Sequence, residues 1–213
     1  VFVVDVGGEP VNVSAGEHPS FASGEVPIWS ADGAAIFVIG ANQIWRADVR
    51  RRTERAVTGP VTERRPMGIA AVRNRSILWQ PRGAGTLFAR VSNTQSLHEE
   101  ICSVDISTGA MTPLRADAES FGEFHEQGLN FDAPDASSPG VFVAQTATRP
   151  PELYATRDFR NARRLTGLHA HFEQYVMGES RLITWTGADG QDYKGTLLLP
   201  AGYRQGQRYP MVV

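Results

Sequence analysis

Residues 28–39 read IWSADGAAIFVI and residues 78–89 read LWQPRGAGTLFA. Each stretch opens on an aliphatic–tryptophan pair, carries a glycine four positions after the tryptophan, and runs into an apolar segment. Trp29 and Trp79 stand fifty positions apart. A weaker third copy starts at Phe131, where residues 135–140 replace the short turn before Val141-Phe-Val-Ala144. A second piece recurs after each copy. Gln43-Ile-Trp-Arg-Ala-Asp48 precedes Arg55-Ala-Val-Thr58, Glu100-Ile-Cys-Ser-Val-Asp105 precedes Met111 to Leu114, and Glu152-Leu-Tyr-Ala155 precedes Arg164-Leu-Thr166. The opening segment, Phe2-Val-Val-Asp5 and Pro10-Val-Asn-Val13, matches this second piece without its first.

A period near fifty, built from short strands divided by Gly, Asp, Pro and Ser turns, is the pattern of β-propeller blades. A four-stranded antiparallel blade cannot bury both faces alone, so blades stack around an axis and bury them on one another. The pattern predicts a mainly β chain: a partial propeller of about three and a half four-stranded blades with almost no helix. Trp29 and Trp79 are expected at equivalent places in adjacent blades. Asp48 and Asp105 are expected to cap the turn from the third strand into the outer one. The same strand spacing also suits a sandwich or a β-helix, and the Trp-x-x-x-Gly recurrence favours the propeller.

Beyond the repeats, residues 182–213 read LITWTGADGQDYKGTLLLPAGYRQGQRYPMVV. Alternation from Leu182 to Thr186, then Asp189-Gly190, then the run from Asp192 to Leu199 predict a β-hairpin, with Asp-Gly supplying the positive φ of a tight turn. Tyr209-Pro210 is expected to open a further strand, Met211 to Val213. This order of strand, DG turn, G-x-L-L-x-P, G-Y and YP-led strand resembles the start of the catalytic domain in the prolyl oligopeptidase family of serine peptidases. The resemblance implies blades over residues 1–171, and a linker with the first strands of an α/β-hydrolase domain over 172–213. It also implies a Ser-Asp-His site beyond Val213, approached by peptides through the propeller, with the remaining blades and hydrolase domain as partners. A propeller-fused esterase and a stand-alone binding propeller are the alternatives.

Apolar content of 41%, charge of 21% and a formal net charge of −2 describe an ordinary globular chain with no global field for nucleic acid. No apolar run reaches the ~18 residues of a membrane span. Cys102, the single cysteine, excludes an internal disulfide. Twenty arginines accompany one lysine, Lys194. The clusters Arg50–Arg52 with Arg55, Arg64–Arg65, and Arg160, Arg163 and Arg164 lack interleaved stacking aromatics and are expected on solvated outer turns.

No G-x-S-x-G elbow occurs. Gly178-Glu-Ser180-Arg-Leu182 comes nearest, lacks the second glycine, and is expected to lead into a strand. His18, His98, His125, His169 and His171 all precede Leu182, whereas the hydrolase order places histidine last. No catalytic residue and no cofactor is therefore assigned to this chain. In an extended segment His169 and His171 would share a face, but too few further ligands converge for a metal. Glu99-Glu100 is the substrate-binding candidate, because some relatives in the family hold a peptide's amino group with an acidic pair from the propeller; the aromatic stretch that precedes that pair is missing here, and the alternative is solvated charges of a hairpin turn entering a strand. The open blade faces are expected to be covered by partner domains or by self-association.

Overall fold

The computed structural model describes residues 2–4, 7–13, 26–72, 75–121, 129 and 131–212. His18, His125 and Val213 lie outside them. No α-helix occurs among the described residues, and none of their helices is long and apolar enough to cross a membrane.

The first strands, β1 (Phe2–Val3) and β2 (Val11–Asn12), pair antiparallel as a two-stranded ribbon. Next come β3 (Ile28–Trp29), β4 (Ala35–Gly40), β5 (Gln43–Asp48) and β6 (Thr53–Ala56), a meander with consecutive antiparallel neighbours. The second unit holds β7 (Arg64–Ile69), β8 (Ala71–Val72), β9 (Ile77–Leu78), β10 (Thr86–Asn93), β11 (Glu99–Asp105) and β12 (Met111–Arg115). The third holds β13 (Phe131–Asp132), β14 (Gly140–Thr146), β15 (Arg149–Thr156) and β16 (Arg163–Arg164). Four strands of the second unit form a sheet ordered β12-β11-β10-β7, its β8 and β9 joining the first meander, and the third unit forms a sheet ordered β13-β14-β15-β16. The hairpin of β17 (Ser180–Thr186) and β18 (Asp192–Leu198) follows.

Stacking explains why the second strand of each blade is apolar without alternation. Every residue of β4 is buried, because both faces meet a neighbour. Phe37 and Ile39 pack with Leu87, Ala89, Val91 and Cys102 of the next blade, while Ile36 and Val38 pack with Val13 of the N-terminal ribbon. In β10 the same division sends Leu87 one way and Phe88 the other. Phe88 joins Trp79, Phe131, Phe142 and Phe159 between the second and third blades.

The turns follow the sequence reading closely. The Gly33 N–H donates to the Ser30 carbonyl at 2.9 Å and the Gly83 N–H to the Gln80 carbonyl at 3.0 Å. Both glycines have positive φ, +68° and +99°. Asp48 Oδ1 accepts from the Arg51 N–H, and Asp105 Oδ1 from those of Ser107 and Thr108, so both aspartates cap the third-to-fourth-strand turn. In the third blade Thr156 Oγ1 does the same for Asp158 and Phe159. The 189–190 turn forms as expected, with Gly190 at φ +76°.

Two expectations are corrected. Trp29 and Trp79 are not equivalent. Trp29 lies in β3 beside β4, whereas Trp79 follows β9, which pairs with β8 and runs parallel to β3, making that sheet six-stranded. The inner place beside β10 is taken by β7 and its continuation, with the Ala70 N–H donating to the Phe88 carbonyl. The recurring motif thus marks the turn and not the ladder. Residues 211–212 are also outside any strand, since β17 and β18 pair only with each other and leave them no ladder partner.

Trp79 is fully buried, its ring 4.6 Å from Phe131 and 5.1 Å from Phe88, and its indole N–H donates to the Ser138 carbonyl. Trp79→Ala is expected to cost about 3–5 kcal/mol in denaturant unfolding, and Trp29→Ala, half-buried, about 1–2 kcal/mol. Equal losses would contradict the unequal packing. Gly109 combines φ +76° with an approach so close that a Cβ would fall 2.1 Å from the Val57 carbonyl oxygen, whereas a Cβ on Gly33 meets open space. Gly109→Ala should therefore lower the urea midpoint clearly more than Gly33→Ala.

Candidate functional site

The β10–β11 turn is built around Asn93, whose Oδ1 accepts from the Gln95 and Ser96 N–H groups. Lys194 Nζ on β18 donates to the Gln95 carbonyl at 3.1 Å, so the hairpin meets the blades at this end. Glu99 and Glu100 follow the turn, and strand alternation separates them. Glu100 shares the face of Cys102 and accepts from Arg64 Nε at 2.7 Å and Asn93 Nδ2 at 2.7 Å. Glu99 shares the face of Ile101 and accepts from Arg90, from Ser120 Oγ at 3.0 Å and from the Phe121 N–H at 2.8 Å. All four carboxylate oxygens already accept a hydrogen bond, and an incoming ammonium would have to displace one of these donors. The pair joins neighbouring structure on opposite faces of β11 and does not converge on one point. Cys102 lies behind Glu100, where burial, with the Glu100 charge adding, pushes its thiol up to about 12. It stays a neutral thiol.

One of the arginines expected on solvated turns, Arg64, lies partly inside its blade, whereas Arg164 stays exposed and reaches inward to a buried acid. Arg64 sits on the inner strand β7 and pairs with Glu100, and Arg164 on β16 pairs with buried Glu152. Charged groups this deep need partners, and the strand positions supply them. Glu152 also accepts from Thr166 Oγ1 and, at 3.4 Å, from the N–H groups of Leu168 and His169. It ties the start of the crossover segment to the third blade. A third cluster spans the second and third blades. Glu119 takes Arg115 Nε at 2.8 Å and Arg149 Nη2 at 2.7 Å, and Arg115 lies over the Phe142 and Tyr154 rings.

Past Glu152 the chain makes a 3₁₀ turn, Ala170–Gln174, in place of the extended segment that would align two imidazoles. The His169 and His171 rings sit 6.0 Å apart, and His171 packs on Phe172 at 4.8 Å. Among the described residues no group of three His, Cys, Asp or Glu could hold a metal. Between this segment and the β14–β15 turn lies a cleft of about 330 Å³, with Arg149, Arg164, His169, Phe172 and Tyr175 among its lining. Ser180 opens β17 opposite Leu198 in a regular ladder, not on an elbow.

Of the cleft residues, Arg164 and His169 stood in motifs read from sequence, while Arg149, Phe172 and Tyr175 were not singled out, though a signal existed. Gln43 and Glu152 occupy matching places in the repeat, each at the third strand with a threonine ending the fourth. Gln43 Nε2 donates to the Thr58 carbonyl while Thr58 Oγ1 accepts the Ile44 N–H; Thr166 Oγ1 likewise accepts the Leu153 N–H. A recurring polar residue inside a buried strand marked the ties at this end.

No family model matches the chain, and no curated protein sequence matches it. Solved structures do. An acylaminoacyl peptidase in complex with Z-Gly-Gly-Phe-chloromethyl ketone matches 87% of this chain and 26% of its own at 18% identity, with a TM-score of 0.57. A Mycobacterium tuberculosis puromycin-hydrolyzing peptidase matches 99% and 30% at 13% identity, TM-score 0.56. The Pyrococcus horikoshii acylaminoacyl peptidase matches 81% and 24% at 17% identity, TM-score 0.53. The likeness is one of fold. The chain spans 24–30% of the length of these peptidases.

Glu152 has its carboxyl held down to about 2, first by the Thr166 hydroxyl and then by Arg164 and backbone donors, with burial opposing them. A depressed carboxylate stabilises the fold above its unfolded value of 4.5, and that stability is lost as pH falls through the folded value. Wild type should therefore lose urea resistance between those two values faster than Glu152→Gln, which carries no titrating group there. Parallel pH profiles for the two proteins would remove Glu152 from this role.

Proposed function

We propose that this chain is the propeller-bearing segment of a serine peptidase of the prolyl oligopeptidase family. In this reading residues 1–171 form chamber-wall blades that admit peptides, and residues 172–213 are the linker and first strands of the α/β-hydrolase domain. The observation that carries the proposal is the succession of stacked blades and a hairpin whose sequence, G-x-L-L-x-P then G-Y and YP, is the one the family resemblance rests on. The fold likeness to acylaminoacyl and puromycin-hydrolyzing peptidases supports it.

The nucleophile, its base and the orienting carboxylate are assigned to other parts of the protein. Ser180 lies in a strand, and the carboxylates near the blade ends are engaged in structural pairs. The base in such a site takes the serine proton as the hydroxyl attacks the scissile carbonyl, and backbone N–H groups stabilise the oxyanion. The contribution of this chain is then access and support of the hydrolase sheet.

The full-length protein is expected to cleave short chromogenic peptides and to be labelled by a serine-reactive fluorophosphonate. The 213-residue chain is expected to do neither. Turnover or labelling by the chain alone would locate a site within it. A full-length protein that hydrolyses esters but no peptide would replace peptidase by esterase.

A further inference from the structure

We propose that the cleft between the third blade and the crossover segment binds the free C-terminal carboxylate of a short peptide together with its apolar terminal side chain. The peptide part of this inference rests on the peptidase reading. The carboxylate part rests on the cleft itself.

Arginines on two different strands line the cleft beside two acids, Glu152, which is committed to Arg164 and Thr166, and Glu173, which stays exposed. Arg149 gives Nη2 to Glu119, whose other oxygen is held by Arg115. Arg149 Nε is shut off from solvent and has no hydrogen-bond partner among the described residues. Arg164 gives Nε to the Thr166 carbonyl and Nη2 to Glu152. Among the described residues its Nη1 meets Glu173 at 3.9 Å, and that carboxylate is 74% exposed and screened by water. A guanidinium carries five donors in a planar fork, so both cations retain N–H groups for a further acceptor. An entering carboxylate would meet these remaining N–H groups, whereas Arg149 Nε, closed to solvent, would be reached only after a side-chain shift.

The other wall is apolar. Pro150, Phe172, Tyr175 and Met177 line it, and the last three remain substantially exposed. A cleft of about 330 Å³ lies at the small end of ligand sites and accepts one or two residues, not a folded partner. An ammonium group would meet Glu173 but would also face two guanidinium groups. Inorganic phosphate would meet the donors and leave the aromatic wall unused. An apolar residue ending in a carboxylate uses both. Its position, on the blade whose Glu152 anchors the crossover, sets this contact where the third blade and the crossover segment meet.

The experiment is calorimetric titration of the 213-residue chain with acetyl-Ala-Ala-Phe as free acid and as amide. The acid is expected to bind about tenfold or more tightly than the amide, the loss that follows from removing a charge-assisted pair. Arg149→Gln and Phe172→Ala should each weaken the acid by about tenfold while leaving the amide little changed or weaker, respectively. Inorganic phosphate should not displace the peptide. Equal binding of acid and amide, no binding of either, undiminished binding by folded Arg149→Gln, or displacement by phosphate would each overturn the proposal. The acid–amide comparison uses the unaltered protein and holds even where a variant fails to fold. A full-length protein labelled by fluorophosphonate beside an inert cleft would leave the peptidase reading intact. Acid-selective binding without labelling would leave the cleft standing alone.

Discussion

Every other feature of this molecule depends on the burial of blade faces against one another. A thin antiparallel sheet has two apolar sides and too little thickness to cover either. The second strand of each blade meets this constraint most directly. In β4, Phe37 and Ile39 face one neighbour while Ile36 and Val38 face the other, and β10 divides Leu87 from Phe88 in the same way. Alternation of polar and apolar residues disappears there because neither side is wet. The aromatic group around Trp79 and Phe159 belongs to two blades at once, so neither blade can loosen without exposing part of the other.

Charged residues follow from the same packing. Once a strand is buried on both faces, a glutamate on it must bring its partners with it. Glu100 takes Arg64 from the inner strand, and Glu152 takes Arg164 and the start of the crossover. These pairs are weak evidence of net stability, because desolvation offsets attraction. Their consequence is geometric: Glu100 ties the start of the inner strand to β11, and Glu152 fixes where the chain leaves the third blade. The cleft beside Arg149 exists because Glu152 holds that departure point while the 3₁₀ turn swings Phe172 and Tyr175 across the blade end.

The hairpin β17–β18 is tied down less. Trp185, Ile183, Leu182 and Leu198 are exposed, and two strands alone bury little. Trp185 stacks on Tyr193 across the pair at 5.8 Å, and Lys194 reaches the Gln95 carbonyl. These contacts keep the hairpin formed over the blade end that carries Glu99 and Glu100.

What the sequence by itself determined was local and repetitive. The glycines at positions 33, 83 and 190, the aspartates at 48 and 105, and the apolar runs of β4, β10 and β14 each act within a few residues, so turns and strand pairs could be read directly. The mainly β, bladed architecture followed from their period. Tertiary structure decided which strand takes the inner place. Arg64–Ile69 lies beside β10 although it opens on two arginines, and displaces the apolar Ile77–Leu78 toward the preceding blade, an exchange that only three-dimensional packing decides. It also decided the fate of the charges. Glu99 and Glu100 are adjacent in sequence and point to opposite blade interfaces, while Arg149, Arg164 and Tyr175 are scattered in sequence and line one cleft. The physical reason is that strand alternation separates neighbours, whereas burial of the blade ends gathers residues from different strands.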